Sequence, residues 1–236
     1  MINGESKKSQ INAMFDNIAH RYDFLNHFLS FGIDRVWRKR AINTIRKTLT
    51  PTQILDVATG TGDLAIAALK LNPEKITGID ISEKMLAIGR TKIKSLGLTD
   101  KIVLLQGDSE KIDFADNNFD VAMVAFGVRN FADPFLGLSE MYRVIRKGGM
   151  IMVLEFSRPT SFPFRNIYKF YFLNILPLIG RLFSKDKKAY NYLPDSVMKF
   201  PDNEDFINIL IKIGFTCVKQ IKLTGGIASI YSGMKT

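Results

Sequence analysis

One cysteine and two histidines are all that 236 residues offer for disulfide or soft-metal chemistry. With Cys217 alone, neither an internal disulfide framework nor a thiolate cluster can form within the chain. Cys217 follows Phe215 in a short apolar stretch and reads as a core residue. His20 and His27 have no acid or cysteine partner pattern, so no metal site is expected. Long hydrophobic runs are missing too. The nearest candidate, 170–180, contains Asn174 and Pro177 and falls short of the roughly 18 apolar residues a spanning helix needs. Met1 to Gln10 is polar and carries no apolar h-region, which argues against a secretory signal. Acids are outnumbered, 23 against 33 Lys+Arg, for a formal charge of +10. That surplus favours anionic surroundings without choosing between nucleic acid, anionic lipid and an acidic metabolite.

What is present is a chain 46% hydrophobic, enough to bury a sizeable core, with no internal repeat. One domain over 1–236 is expected. Apolar groups at Ile11, Met14, Phe15, Ile18, Tyr22 and Leu25 recur at helical spacing. A basic helix from Asp34 runs toward Leu49, where Thr50-Pro51 stops it, so 1–50 reads as an amino-terminal helical cap in which Trp37 packs over the rest. Strands and helices then alternate. Strands are predicted at 54–58, 75–80, 102–106, 119–125 and 150–154, and two closing strands at 216–223 and 226–231. Helices are predicted from Gly62 to Leu71, after a Ser82 cap, from Asp133-Pro134 to about Arg146, and over 206–213 with Asp202 as cap. This order predicts an α/β fold, a seven-stranded, mostly parallel sheet with helices on both faces. The segment 158–200 interrupts it as a helical insertion.

The sharpest local signal is Ile54-Leu-Asp-Val-Ala-Thr-Gly-Thr-Gly-Asp63, a strand entering closely spaced glycines before a helix. Gly60 and Gly62 let a ligand approach bare backbone. A dinucleotide fingerprint would have a third glycine, absent here, which disfavours a nicotinamide oxidoreductase. Asp56, four residues before Gly60, adds negative charge that suits a cationic ligand with an amino-acid group. Asp80 ends the second strand, placed to grip two ribose hydroxyls, and Asp108 ends the third, within reach of an adenine amine. The glycines also fit an ordinary tight turn and the acids fit caps. Three acids at the carboxyl edge of successive strands favour the ligand reading, and the ligand such a site fits is S-adenosylmethionine.

At these residues the chain resembles the class I methyltransferases, with Ala58 where a glycine is typical. Three further segments are Tyr22-Asp-Phe-Leu-Asn-His-Phe-Leu-Ser30 leading to Trp37, Phe126-Gly-Val-Arg-Asn130, and Arg143-Val-Ile-Arg-Lys-Gly-Gly-Met-Ile-Met-Val-Leu-Glu-Phe-Ser157. Together they are similar to the demethylmenaquinone and ubiquinone C-methyltransferases of respiratory quinone synthesis. The resemblance spans nearly the whole chain. Departures are Asp34 and Tyr231, where the family often has histidine, and Arg146-Lys147, where it often has Lys-Pro. The resemblance implies a Rossmann-like fold and a methyl donor held by Thr61, Asp80, Asp108 and Ser109, leaving S-adenosylhomocysteine. It also implies that Tyr22, Arg129 and Asn130 face the transfer site.

The implied reaction methylates a ring carbon of a reduced polyprenyl quinone precursor. Asp34 and Thr59 lean toward demethylmenaquinol; the demethylated ubiquinol precursor and another small phenol are the alternatives. Such a ring carbon becomes nucleophilic when a neighbouring hydroxyl loses its proton. Arg129 stays protonated and is expected to face the phenolate, while a water held by Arg129, Asn130 and Asp108 takes the proton. Tyr22 is expected to orient the ring. Arg129-Asn130 also fits simple loop closure, and Glu155 fits a clasp on neighbouring backbone. Against an RNA methyltransferase stand the lack of an Asn-Pro-Pro-Tyr motif and of a proline beside Cys217. A catalytically inactive donor-binding interaction protein is the alternative of a different class.

Of 26 aromatics, ten fall in 158–200, together with eight Lys+Arg and only two acids. A cap helix with one buried face accounts for part of this. A passage for a polyprenyl tail, flanked by basic groups that meet anionic headgroups, accounts for the rest at about 1 kcal/mol per cation. A cytoplasmic enzyme, peripheral on the inner face of the membrane, is therefore expected, with homo-oligomerisation left open.

Overall fold

The computed structural model describes residues 8–16, 19, 32–160, 162–166, 192 and 195–236. Seven strands form one sheet: β1 (Gln53–Val57), β2 (Lys75–Asp80), β3 (Ile102–Gln106), β4 (Phe119–Ala125), β5 (Ile145–Phe156), β6 (Thr216–Leu223) and β7 (Ala228–Met234). Their order is β3-β2-β1-β4-β5-β7-β6, with β7 antiparallel to both neighbours and the remaining pairs parallel. The helices are α1 (Ile33–Arg46), α2 (Asp63–Ala68), α3 (Glu83–Ser95), α4 (Pro134–Val144) and α5 (Glu204–Ile213), and residues 8–16 form a further helical segment.

Alternation along the strands builds two apolar layers. Ile54, Met123 and Met152 face one side with Trp37 and Ile42 of α1 and Leu86 of α3. Leu55, Val124 and Val153 face the other with Met141 of α4 and Leu210 of α5. Helices therefore cover both faces, as the near-continuous apolar strands require. Burying each large side chain contributes about 1.5–3 kcal/mol, which anchors the central strands. Chain order turns back beside β1: β2 and β3 spread to one side and β4 and β5 to the other. The loops after β1 and β4 consequently diverge at the carboxyl edge and leave a crevice there.

Local chemistry explains most boundaries. The Ser82 hydroxyl accepts from the Met85 amide at 3.2 Å, and Asp133 accepts from the amides of Phe135 and Leu136, so both expected caps are present. α2 is shorter than its apolar spacing suggested: a 3-10 turn, Leu69–Leu71, follows, and Asn72 ends it with φ 53°. β5 is longer than predicted and takes Ile145 and Arg146 from α4: Gly148 turns the chain at φ 78°, its amide donates to the Lys235 carbonyl, and the Gly149 carbonyl accepts from the Lys235 amide.

Two expectations are overturned. Cys217 is exposed, not core: it sits with φ 49° where the register of edge strand β6 slips between Thr216 and Lys219, and the irregularity turns it outward. Asp202 does not cap α5. Asn203 holds that position without a side-chain cap bond to the helix, and Asp202 instead accepts from the Arg158 backbone and guanidinium. The two ends of the 158–200 insertion are thereby clasped. Within it, residues 164–166 and 195–199 are helical.

Candidate active site

The glycine turn is built by hydrogen bonds its backbone makes in unusual conformations. Ala58 lies at φ 52° and Gly60 at φ 58°, and the Thr59 amide donates to Ile79 at 2.9 Å. Gly60 is needed here, because a side chain at this left-handed φ would be strained. Its amide donates to Asp80 Oδ2 at 2.8 Å, while Asp80 Oδ1 accepts from the Ser82 amide at 2.9 Å. Burial pushes the Asp80 carboxyl above its ordinary value, although the amides of Ser82, Gly60 and Ile81 favour its ionised form.

Asp80 opens onto a cleft that Gly60, Asp108, Ser109 and Asn130 also line, with Phe126 and Phe131 on its wall. Five expected site residues thus share one cleft. Asp56, Thr61 and Gly62 do not line it. Asp56 is buried beneath the turn, where its Oδ2 accepts from the Thr59 hydroxyl at 2.6 Å and Oδ1 has no partner among the described residues. Burial pushes its carboxyl up to about 7, against the Thr59 hydroxyl and the Ala65 amide. Asp56 therefore acts on the turn from below. Thr61 accepts from Lys92 Nζ at 3.1 Å, and Gly62 packs toward Ile93 and Leu104.

Sequence patterns missed the group that closes the mouth. Lys8, in the polar start of the chain, places Nζ 2.7 Å from Asp108 Oδ2 and 3.0 Å from Glu110 Oε2. Burial opposes the ammonium, but the two carboxylates outweigh it and hold its pKa above the ordinary value. Asp108 Oδ1 accepts from the Glu110 amide, and Glu110 Oε1 accepts from the amides of Ala132 and Asp133. Farther along the same helical segment, the Ser82 hydroxyl donates to Asp16 at 2.6 Å. The segment is pinned across the cleft at both ends, with Ile11 and Phe15 turned into it.

Beyond β4 the chain makes a 3-10 turn, Val128–Asn130, stabilised by the Asn130 amide donating to Gly127. Arg129 does not line the cleft. Its guanidinium ion-pairs with Glu155 at 2.7 Å and lies over the Phe156 ring at 5.3 Å; the two charged side chains are 8% and 0% exposed. Glu155 also accepts from the backbone amides of Arg129 and Phe156, so the expected backbone clasp exists and adds an ion pair. The free cation expected at Arg129 is instead a neutralised one, with a buried Nε that has no partner among the described residues. Asn130 Nδ2 donates to the Phe126 carbonyl at 3.4 Å, and its Oδ1 accepts from the Tyr192 hydroxyl at 3.1 Å. Tyr22 lies outside the described residues.

Two departures from the family pattern have structural explanations. Asp34 is buried and pairs with Arg38, which also reaches Asp63 at 3.0 Å, tying α1 to the start of α2. Tyr231 is fully buried and accepts from the Asn203 amide at 2.8 Å, and burial pushes its phenol up to about 12.

The donor set fits S-adenosylmethionine: a bare backbone at Gly60 and a carboxylate at Asp80 with lone pairs left for a diol, with Asp108 and Ser109 on the same cleft. The sequence profile described as the ubiE/COQ5 methyltransferase family matches residues 3–235. The chain is 48% identical over 234 residues to a demethylmenaquinone methyltransferase of Bacteroides fragilis, covering 99% of this chain and 95% of that one. It is 47% identical over 231 residues to a ubiquinone/menaquinone biosynthesis C-methyltransferase UbiE of Geotalea uraniireducens, covering 97% of each. Among solved structures, a SAM-dependent methyltransferase of Thermotoga maritima superposes with a TM-score of 0.67 at 20% identity, over 96% of this chain and 100% of that one, a likeness of fold.

Proposed function

The chain belongs to the ubiE/COQ5 methyltransferase family and is an S-adenosylmethionine-dependent C-methyltransferase, and from that premise we propose that its acceptor is demethylmenaquinol. The observation carrying the proposal is the single cleft in which the Gly60–Asp80 corner faces the Phe126–Asn130 wall. When bound, S-adenosylmethionine supplies an electrophilic methyl group on sulfur. Asp80 would hold its ribose diol, Asp108 and Ser109 its adenine edge, and Gly60 leaves room for the remainder. The helical segment over 8–16 excludes water from that half.

The chain's remaining task is to place an electron-rich ring carbon in line and to stabilise its phenolate. Asn130 and Asp108, both on the cleft, would hold the water that takes the hydroxyl proton. Arg129 acts differently from a bare counter-ion, because Glu155 cancels most of its charge. Its work is to brace the Val128–Asn130 turn, through Glu155 and the Phe126 carbonyl, and so to place Asn130. Tyr22 keeps its proposed role of orienting the ring.

The acceptor's tail would enter through the stretch 158–200, and contact with an anionic membrane face would accompany it. At the start of that stretch Phe162 is 78% exposed, with Met198 at 55% near its end, and eight cations lie between 158 and 200. No helix among the described residues is long and apolar enough to cross a membrane. Flotation with anionic and neutral liposomes tests the contact; salt-sensitive binding to the anionic set is expected. For the acceptor, demethylmenaquinol and the demethylated benzoquinol are offered side by side with labelled donor. Preferred labelling of demethylmenaquinol is expected, and transfer to neither quinol would overturn the proposal.

A further inference from the structure

Tyr192 comes from the acceptor-side stretch, yet its hydroxyl ends on a residue of the donor cleft. The distance to Asn130 Oδ1 is 3.1 Å across 62 positions of sequence. A carboxamide has two chemically different ends, and only its hydrogen bonds decide which way each points. Here the Phe126 carbonyl takes the nitrogen and Tyr192 takes the oxygen. The carbonyl contact, at 3.4 Å, is the weaker of the two. Tyr192 is therefore the stronger constraint on how Asn130 faces the cleft.

The bond is poorly explained as an anchor for the stretch. Val197 and Phe200 already bury its end, Phe200 packs on Phe206 at 5.1 Å, and Asp202 clasps Arg158. Tyr192 itself does not line the cleft, and it reaches it through Asn130. Its surroundings are those of the transfer site: burial pushes its phenol above the ordinary value, against the pull of the Arg129 charge, and Glu155 adds to the rise. A phenol so placed stays protonated and keeps donating at neutral pH.

We propose that Tyr192 is a positioning residue for methyl transfer, holding the Asn130 carboxamide toward the acceptor ring and thereby coupling the acceptor-side stretch to the donor cleft. The inference rests on the reading of Asn130 as a transfer-site residue.

The test is a double-mutant cycle of Tyr192→Phe and Asn130→Ala, read by kcat and KM for the quinol, by donor Kd from calorimetry and by thermal melting. Tyr192→Phe is expected to lower kcat roughly tenfold, the effect of one hydrogen bond, with donor Kd and melting temperature unchanged. In the Asn130→Ala background the same substitution should have no further effect. A harmful Asn130→Ala with a silent Tyr192→Phe overturns the proposal alone. A silent Asn130→Ala overturns it by removing the reading it rests on. Independent, additive losses overturn it too, since Tyr192 would then touch the acceptor directly.

Discussion

Lys8 and Asp108 form an ion pair at 2.7 Å across the mouth of the donor cleft, joining positions 100 apart in sequence. The side chains are partly exposed, at 27% and 34%, so the pair is worth no more than about 1 kcal/mol. Lys8→Ala should therefore loosen the lid without unfolding the protein. Donor dissociation is expected to accelerate by about two- to fivefold in stopped-flow. Raising the salt concentration should narrow the gap between wild type and variant. An unchanged dissociation rate would mean that the segment over 8–16 is held by its apolar contacts and the Ser82–Asp16 hydrogen bond without help from Lys8.

Arg129 combines two roles that substitutions can separate. Arg129→Leu leaves Glu155 charged and unpaired in the core, which costs about 3–5 kcal/mol, and turnover should fall steeply. Combining it with Glu155→Leu removes the orphaned charge. The double variant is expected to regain most of the melting temperature but not the turnover. Recovery of both would reduce Arg129 to a structural residue.

Ala58 holds a left-handed backbone, φ 52°, without being glycine. That conformation costs an L-residue about 1–2 kcal/mol, and glycine gives back about 0.4–1 kcal/mol in unfolded-chain entropy. Ala58→Gly should stabilise by about 0.5 kcal/mol, or about 1–2 °C in melting temperature. Calorimetry on the pair checks this, and a loss of stability would show that the Ala58 methyl packs too well to give up.

Asp56 makes stability depend on pH. Its folded pKa, about 7, lies above the ordinary 3.8, so the fold favours the protonated acid. The contribution is fully present below the unfolded value and is lost as pH rises through about 7. Asp56→Asn cannot ionise. The melting temperature of the variant minus that of wild type is expected to climb from about pH 4 to about pH 8 and then level off. A difference independent of pH would place Asp56 ionised in the fold throughout.

Much of this molecule is written in local patterns. The apolar runs of β1 to β4, the caps at Ser82 and Asp133 and the bare backbone at Gly60 each depend on a few neighbouring residues, so periodicity and turn chemistry expose them. Asp80 and Asp108 were legible for a related reason. A parallel sheet carries the ends of its strands to one edge, and the acids at the end of β2 and just past β3 come together there. Cys217 misled because apolar spacing does not reveal a register slip in an edge strand.

By itself, then, the sequence determined the strands, the glycine turn after β1, the acids beside it and the family. Only the tertiary structure decided which charges are spent on one another. Arg129 is neutralised by Glu155, Asp108 is engaged by Lys8, Asp56 lies under the turn, and Asn130 is held by Tyr192. Secondary structure follows from near neighbours, whereas a charge or an amide takes its partner from whichever loops the sheet order brings within about 3 Å.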